Sequence, residues 1–240
     1  IGGLKDGVHP KIRNRVVRYG TGNIAEGPAM TREECVQAIL TGVDTVRDLK
    51  AEGYDLIVTG EMGIGNTTTS SACAAVLFDQ APEVVTGRGA GLSTAGLNKK
   101  VCAIERAIEV NHPDKTDAID VISKVGGLDI AGMVGCYLGA AYYHLPILID
   151  GFISAISAYL AGMLSKTAKE YMIPTHGSAE PAAKLVMEHL GMQAPIQAGM
   201  HLGEGTGAIM GLSLIDQGLN VYYHVATWDG AHVEAYTHQK

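Results

Sequence analysis

Residues suited to binding a phosphate are concentrated in one glycine-rich stretch, residues 55–70. An apolar run at 56–58 has the length of a buried strand, and glycines follow it at positions 60, 63 and 65. Glycines let the backbone approach a ligand closely. The unpaired N–H groups at the start of a helix carry partial positive charge, which favours a phosphate. The stretch therefore predicts a strand, a tight loop and a helix N-terminus, with hydroxyl donors from residues 67–69.

Glu61 lies inside this loop, where its carboxylate would repel a phosphate. We therefore expect Glu61 to face another part of the ligand. The alternative is a solvated turn in which Asn66 or Thr67 merely caps the helix. On this stretch alone the two interpretations are equally supported.

A second acidic residue, Glu204, lies between Gly203 and Gly205, just before an apolar segment. Partial burial would suit such a carboxylate to general-base catalysis. The spacing alone slightly favours the alternative, an acid that stabilises a helix N-terminus. Asp150, immediately before Gly151, has the same two interpretations.

Three side chains in or near the later loops have both a binding and a structural interpretation. His176 either donates to a phosphate or packs in the core. His201 is expected to be an ordinary loop histidine. Lys100 follows a second glycine-rich loop, Gly87-Arg-Gly-Ala-Gly, and is expected to be solvated unless its helix brings it to a phosphate.

Strand-like runs followed by glycine loops and helices recur along the chain. Strands are predicted at 56–58, 84–86, 147–149 and 171–173, and Thr31 with Glu34 forms a capping box that begins a helix. This order predicts an α/β fold, a mostly parallel open sheet with helices on both faces in a Rossmann-like arrangement. Loops at the carboxyl ends of such strands line one crevice. We therefore expect the loops carrying Glu61, Asp150 and Glu204 to meet.

Composition limits the function classes. The chain has 240 residues, 47% of them hydrophobic, and a formal charge of −7, which argues against a nucleic-acid surface. Its four cysteines form no CxxC pair. This favours free thiols in a reducing cytoplasm, with neither a zinc site nor a redox pair. We expect a cytoplasmic protein that needs no metal or cofactor.

Three other classes fit poorly. Residues 130–149 contain no Asp, Glu, Lys or Arg, but glycines and Pro146 divide them, so a buried helix and strand are expected rather than a membrane span. The glycines at 87, 89 and 91 do not have G-x-G-x-x-G spacing, which makes a nicotinamide dehydrogenase a weak interpretation. The P-loop pattern does not occur in the sequence, so an ATPase is weaker still.

Five motifs occur in an order that resembles one known family. They are Gly60-Glu-Met-Gly-Ile-Gly-Asn-Thr-Thr, Gly87-Arg-Gly-Ala-Gly, Asp150-Gly-Phe-Ile-Ser-Ala, His176-Gly-Ser-Ala-Glu and Leu202-Gly-Glu-Gly-Thr-Gly. The chain is similar, over essentially its whole length, to the nicotinate-nucleotide:dimethylbenzimidazole phosphoribosyltransferases of cobalamin lower-ligand assembly. The resemblance implies transfer of the phosphoribosyl group of nicotinate mononucleotide to 5,6-dimethylbenzimidazole, which gives α-ribazole 5′-phosphate and nicotinate with inversion at the anomeric carbon.

The resemblance also implies a role for each site residue. Glu204 is expected to be the general base, while Glu61 and Asp150 face the ribose and stabilise positive charge that develops there. The residues expected to hold the phosphate are Gly63, Gly89, Lys100, Gly151 and Ser178. Asn66, Thr67 and Gly203, in the same loops, complete the predicted substrate-binding set.

Family members carry a further N-terminal segment with an Asp-His-Gly motif that helps form the base pocket, and this sequence begins after it. The resemblance thus implies a fragment, or a segment supplied from elsewhere. It also implies a homodimer. Residues 1–240 are expected to form one α/β phosphoribosyltransferase domain. Residues 1–50 and the C-terminal end are expected to contribute to a small helical subdomain.

Other functions remain open at this point. A close variant is a family member that uses another acceptor base or a phenol. A different class is a nucleotide-binding partner subunit, inactive without the N-terminal segment. The carboxylates Glu61, Asp150 and Glu204 favour an enzyme, since a pure binding module has no need of them.

Overall fold

The structure, a computed structural model, describes residue 9, residues 12–234 and residue 237. A three-stranded parallel sheet has the order β1 (Ile57–Val58), β2 (Ile147–Ile149) and β3 (Met172–Pro174). A second parallel pair joins β4 (His176–Ser178) to β5 (Ile196–Met200). The helices of the described residues are α1 (Arg32–Ala51), α2 (Asn66–Leu77), α3 (Pro82–Val85), α4 (Thr94–Asn111), α5 (Ala118–Val125), α6 (Leu128–Tyr142), α7 (Phe152–Leu164), α8 (Ala183–Leu190) and α9 (Thr206–His224), with a 3-10 turn at Lys166–Tyr171.

Three helices begin at a residue whose side chain caps them. Thr31 and Glu34 form the predicted capping box at the start of α1. The Ser93 hydroxyl accepts a hydrogen bond from the Gly96 N–H at the start of α4, and Asp117 caps α5. Each cap satisfies N–H groups that would otherwise be unpaired.

Helices α1 and α6 pack closely against each other through glycines. A Cβ built on Gly42 would lie 2.0 Å from the Gly132 carbonyl oxygen, and one on Gly135 would lie 1.9 Å from that of Ile39. Only glycine permits this approach of the two backbones. The apolar stretch 130–149 is accordingly a helix and a strand, as predicted. Among the residues that the structure describes, no helix is both long and apolar enough to cross a bilayer.

One predicted strand was wrong, and one observed sheet was not predicted. Residues 84–86 were predicted as a strand, but residues 82–85 form α3, because Pro82 occupies the first turn, where its fixed φ favours a helix. The second sheet, in which β4 pairs with β5, was not predicted from the sequence. Its strands contain Gly177 and Gly199 and lack the usual β-forming pattern.

In the C-terminal third, α8 begins at Ala183, and α9 extends from Thr206 to His224. Parts of both segments of the predicted small helical subdomain, residues 1–8, 10 and 11 and residues 235, 236 and 238–240, lie outside the described residues. That subdomain remains a prediction.

Candidate active site

Two of the predicted loops are joined by their backbones. The Glu204 N–H donates to the Glu61 carbonyl oxygen at 3.0 Å. The loops approach so closely that a Cβ on Gly60 would lie 2.5 Å from the Gly205 nitrogen and 2.7 Å from the Glu204 carbonyl carbon. The loop after β1 and the loop before α9 therefore form a single structure at one end of the sheet.

A cavity of about 400 Å³ lies beside the joined loops. Its wall includes the predicted residues Glu61, Gly63, Thr67, Gly89, Gly151, Ser178 and Gly203. These residues come from five separate segments of the chain. The structure thus brings together most of the predicted site, as expected for loops at the carboxyl ends of parallel strands.

Two helices begin at this cavity without a side-chain cap. The N-cap of α2 is Gly65, in the left-handed region with φ of 81°, and the N-cap of α7 is Gly151. The alternative in which Asn66 or Thr67 caps α2 is therefore wrong, because both residues lie inside the helix. The first N–H groups of α2 and α7 have no capping side chain, which suits an anion.

Lys100 is buried beside the first of these helices. Only 7% of its surface is exposed, and its Nζ donates to the Thr67 hydroxyl and the Gly87 carbonyl oxygen, each at 3.0 Å. The expectation of a solvated lysine is wrong. Burial lowers the pKa of Lys100, and the charge of Glu180 opposes this effect. A phosphate near Lys100 would supply the opposite charge that a buried ammonium needs.

Glu61 is held in a defined orientation at the cavity wall. Its Oε2 accepts hydrogen bonds from the Gly63 N–H at 2.6 Å and the Asn66 Nδ2 at 2.7 Å. A Cβ on Gly203 would lie 2.9 Å from Oε1. Burial raises the pKa of Glu61 despite these two hydrogen bonds, and the charges of Asp129 and Asp150 add to the rise.

Asp150 holds the loop of Glu204 through two hydrogen bonds. It is 3% exposed, and its two oxygens accept from the N–H groups of Gly205 and Ala208, each at 3.0 Å. These groups belong to the start of α9, so Asp150 caps that helix from the end of β2. Gly151, the next residue, lines the cavity. A contact of Asp150 with ribose remains a prediction.

Glu204 itself is exposed, with a positive φ of 61°. The partial burial that would suit a general base is therefore not found in the described chain. The reason is that nothing among the described residues packs over its side chain, although its backbone is fixed. Its role as general base remains a prediction.

Sequence reasoning assigned no firm role to four residues that the structure brings to the site. His176, Glu180 and His201 line the cavity, and Asp129 binds Asn66 at 2.8 Å. Within the described chain the buried Glu180 Oε2 has no hydrogen-bond partner. His176 and Glu180 could have been predicted as site residues, because their motif follows a predicted strand, where ligand-binding loops occur. No local pattern marked Asp129.

Asn66 lies outside the wall of the main cavity. It lines a neighbouring cavity of about 650 Å³, which shares Met62 with the first. Asn66 reaches the main site through its hydrogen bond to Glu61. The predicted substrate-binding residues outside the cavity wall are thus Asn66, which contacts Glu61, and Lys100, which contacts Thr67.

Comparison with known proteins identifies relatives over nearly the whole chain. A family model described as phosphoribosyltransferase matches residues 2–233. Two relatives are named nicotinate-nucleotide–dimethylbenzimidazole phosphoribosyltransferase. The protein from Acetivibrio thermocellus is 50% identical over 95% of this chain, and that from Ruminiclostridium cellulolyticum is 48% identical over 95%. The chain spans 65% and 64% of the length of these two relatives.

A solved structure agrees with the fold. The crystal structure of CobT from Thermus thermophilus superimposes with a TM-score of 0.89 at 36% identity, covering 98% of this chain and 70% of that one. The predicted α/β class with parallel strands is confirmed, as is the family resemblance. By the extent of the family match and the identity to its relatives, this chain belongs to the phosphoribosyltransferase family.

Proposed function

We propose that this chain carries the active site for transfer of the phosphoribosyl group of nicotinate mononucleotide to 5,6-dimethylbenzimidazole. The observation that supports this most directly is the backbone link between the loops of Glu61 and Glu204 beside a cavity whose wall includes Thr67, the residue that Lys100 contacts. One side of the site suits a phosphate and the other carries carboxylates. Relatives at up to 50% identity are named for this transfer, which supports the proposed activity.

The proposed reaction exchanges one bond at the anomeric carbon for another. A nitrogen of the benzimidazole attacks C1′ of the ribose, and the bond from C1′ to the nicotinate nitrogen breaks. The electron pair of that bond neutralises the pyridinium, which leaves as nicotinate. Glu204 accepts the proton from the other nitrogen of the benzimidazole, so that the product is neutral at the new base.

The phosphate is assigned to the side of the cavity where α2 begins and where Lys100 contacts Thr67. The first N–H groups of α2 and α7 and the ammonium of Lys100 supply positive potential. Ser178 adds a hydroxyl. Gly89, with φ of 54°, leaves room because a Cβ there would lie 2.8 Å from the Thr67 hydroxyl.

Glu61 is assigned to the ribose. Positive charge develops on the sugar as the bond to nicotinate breaks, and a fixed carboxylate stabilises such charge most when it needs no reorientation. The hydrogen bonds from Gly63 and Asn66 provide that fixed orientation. Asp150 acts at the same time on the Glu204 loop, through the start of α9.

The identity of the acceptor is the part of this proposal that needs a direct test. A protein containing this chain is incubated with nicotinate mononucleotide and an equimolar mixture of 5,6-dimethylbenzimidazole, another benzimidazole, a purine and a phenol. Mass spectrometry then identifies the products. The expected main product is α-ribazole 5′-phosphate. If the main product contains the purine or the phenol, that compound is the acceptor instead of 5,6-dimethylbenzimidazole. Tight binding of nicotinate mononucleotide without turnover would indicate that the chain is an inactive partner subunit.

We further propose a cytoplasmic homodimer. The cysteines of the described residues are all free thiols, as suits a reducing compartment. Helix α9 exposes apolar side chains, among them Ile209, Leu214, Val221 and Tyr222, and exposed apolar patches of this kind mark interaction surfaces. Light scattering during size-exclusion chromatography measures the mass directly, and a monomer across micromolar concentrations would contradict the dimer.

A further inference from the structure

One amide group links two carboxylates next to the proposed site. Asn66 Nδ2 donates to Glu61 Oε2 at 2.7 Å and to Asp129 Oδ2 at 2.8 Å. A side-chain amide has two N–H donors on one nitrogen, so this arrangement uses both. The contact spans 63 positions of sequence, from the start of α2 to the start of α6.

The orientation of the Asn66 amide is fixed by its surroundings. Turning the amide over would place its oxygen against two carboxylates, which have no proton to donate when ionised. The amide oxygen is buried and has no hydrogen-bond partner among the described residues. Asn66 therefore has one favourable orientation, in which it presents its nitrogen to Glu61.

Asp129 is the rigid end of this arrangement. It lies in the first turn of α6, where the helix dipole favours a carboxylate, and α6 packs on α1 through the glycine contacts described above. Glu61 and Asn66 instead belong to a loop and helix start shaped by Gly63 and Gly65, both with positive φ. The link ties this glycine-rich loop to a fixed helix pair.

We propose that Asp129 is a positioning residue for Glu61, whose carboxylate it holds at the cavity wall through the amide of Asn66. The proposal rests on the proposed function, in which Glu61 faces the ribose. Asp129 itself is assigned no contact with substrate. The groups that face Glu61 are the Gly63 N–H, Asn66 from α2, Asp129 from α6 and Asp150 from the end of β2.

Two substitutions separate the hydrogen bond from the charge. Asp129→Asn keeps an oxygen that accepts from Asn66, whereas Asp129→Ala removes it. We expect Asp129→Ala to lower kcat about 10- to 100-fold with little change in KM, and Asp129→Asn to recover most of that loss. In a Glu61→Gln background, Asp129→Ala should lower kcat by no more than about twofold, because both changes disable the same group.

A third variant, Gly127→Ala, tests whether the loss in kcat comes from the position of the Asp129 carboxylate rather than from unfolding. A Cβ on Gly127 would lie 2.4 Å from Asp129 Oδ1, and the φ of Gly127 is −149°, which alanine adopts readily. Gly127→Ala therefore displaces the Asp129 carboxylate without removing its charge, and should lower kcat like Asp129→Ala. Glu33→Ala is the matched control, since it removes an exposed acid from the first turn of α1.

Two measurements need no turnover. Exchange of the Asn66 side-chain amide protons, followed by NMR, should be slow in the native chain and in Asp129→Asn and fast in Asp129→Ala. Titration of the Glu61 carboxyl carbon should have a lower midpoint in Asp129→Asn, because a like charge is removed. Equal kcat losses for Asn and Ala, multiplicative loss with Glu61→Gln, or unchanged exchange would each overturn the proposal. Absence of transfer by the native protein would overturn the proposed function alone.

Discussion

The backbone N–H of Glu204 donates to the backbone carbonyl oxygen of Glu61 at 3.0 Å, which joins two loops more than 140 positions apart in sequence. The link involves main-chain atoms, so both side chains stay available for chemistry. Their separation is therefore set by the backbone rather than by flexible side chains. Such preorganisation is what a reaction with a proton acceptor and a developing cation requires.

The first prediction tests this link with Gly60→Ala. The added Cβ would lie 2.5 Å from the Gly205 nitrogen, a backbone atom that moves only with its loop. We expect the Glu204 loop to be displaced and kcat to fall about 100-fold, since displacement by about 1 Å costs that much in a positioned site. Steady-state kinetics provide the measurement.

Gly218→Ala is the control for Gly60→Ala. Gly218 is exposed within α9, and a Cβ there meets nothing within 4 Å. Alanine should leave kcat unchanged and raise the free energy of unfolding by about 0.5–1 kcal/mol, because glycine weakens a helix interior. Native-like kinetics of Gly60→Ala would mean that the approach of the two loops is unimportant for turnover.

The second prediction concerns Glu204→Gln. Glutamine keeps the size and the backbone link but cannot accept a proton. We expect formation of α-ribazole 5′-phosphate to fall by about 100- to 10,000-fold, the usual contribution of a positioned general base, while the Kd of nicotinate mononucleotide measured by calorimetry stays the same. Glu188→Gln, on α8 and away from the site, should behave as the native protein. Undiminished turnover in Glu204→Gln would remove Glu204 from the base role.

The parts of the site that could be predicted are those carried by local sequence. Gly60, Gly63 and Gly65 mark a tight loop, and an apolar run before them marks a strand, because chain geometry demands these residue types locally. The general rule that such loops gather at the carboxyl ends of parallel strands then places Glu61 beside Glu204. The joined loops agree with this rule.

The parts that could not be predicted depend on tertiary contacts. Strands β4 and β5 have neither a run of β-branched residues nor an alternating pattern of polar and apolar residues, so the sequence does not predict their pairing. The Asn66–Asp129 contact arises only when α2 and α6 pack together. Val84 and Val85 favoured a strand by type, yet the preceding Pro82 started a helix. Pairwise placement of distant elements is invisible to periodicity.

The third prediction tests the phosphate side with Lys100→Met, which keeps much of the side-chain volume and removes the charge. We expect the Kd of nicotinate mononucleotide to rise about 10- to 150-fold, which corresponds to about 1.5–3 kcal/mol for a hydrogen bond to a charged group. Isothermal titration calorimetry provides the measurement. Lys99→Met changes the exposed neighbour on the same helix and should leave this Kd unchanged.

Nicotinate riboside, which lacks the phosphate, identifies what Lys100 binds. If Lys100 contacts the phosphate, Lys100→Met should weaken riboside binding very little. An equal loss for riboside and mononucleotide would show that Lys100 supports the loop through Thr67 and Gly87 rather than holding the phosphate. The comparison thus separates a ligand contact from a structural contact.

The last prediction concerns the pH dependence of stability at His176, which is 4% exposed beside Asp150. Burial lowers the pKa of His176 below its ordinary value of 6.5, and the charge of Asp150 opposes this effect. The unfolded chain therefore takes up this proton at a higher pH than the folded chain does. The free energy of unfolding should fall as pH decreases below 6.5, with a slope from this group of at most about 1.4 kcal/mol per pH unit. The decrease should end once the pH is below the pKa of His176 in the folded chain.

Urea titrations at several pH values provide the test. His176→Asn should lose this part of the pH dependence, whatever its absolute stability, whereas the exposed His224→Gln should keep it. An unchanged slope in His176→Asn would mean that the buried imidazole is not the group that senses acid.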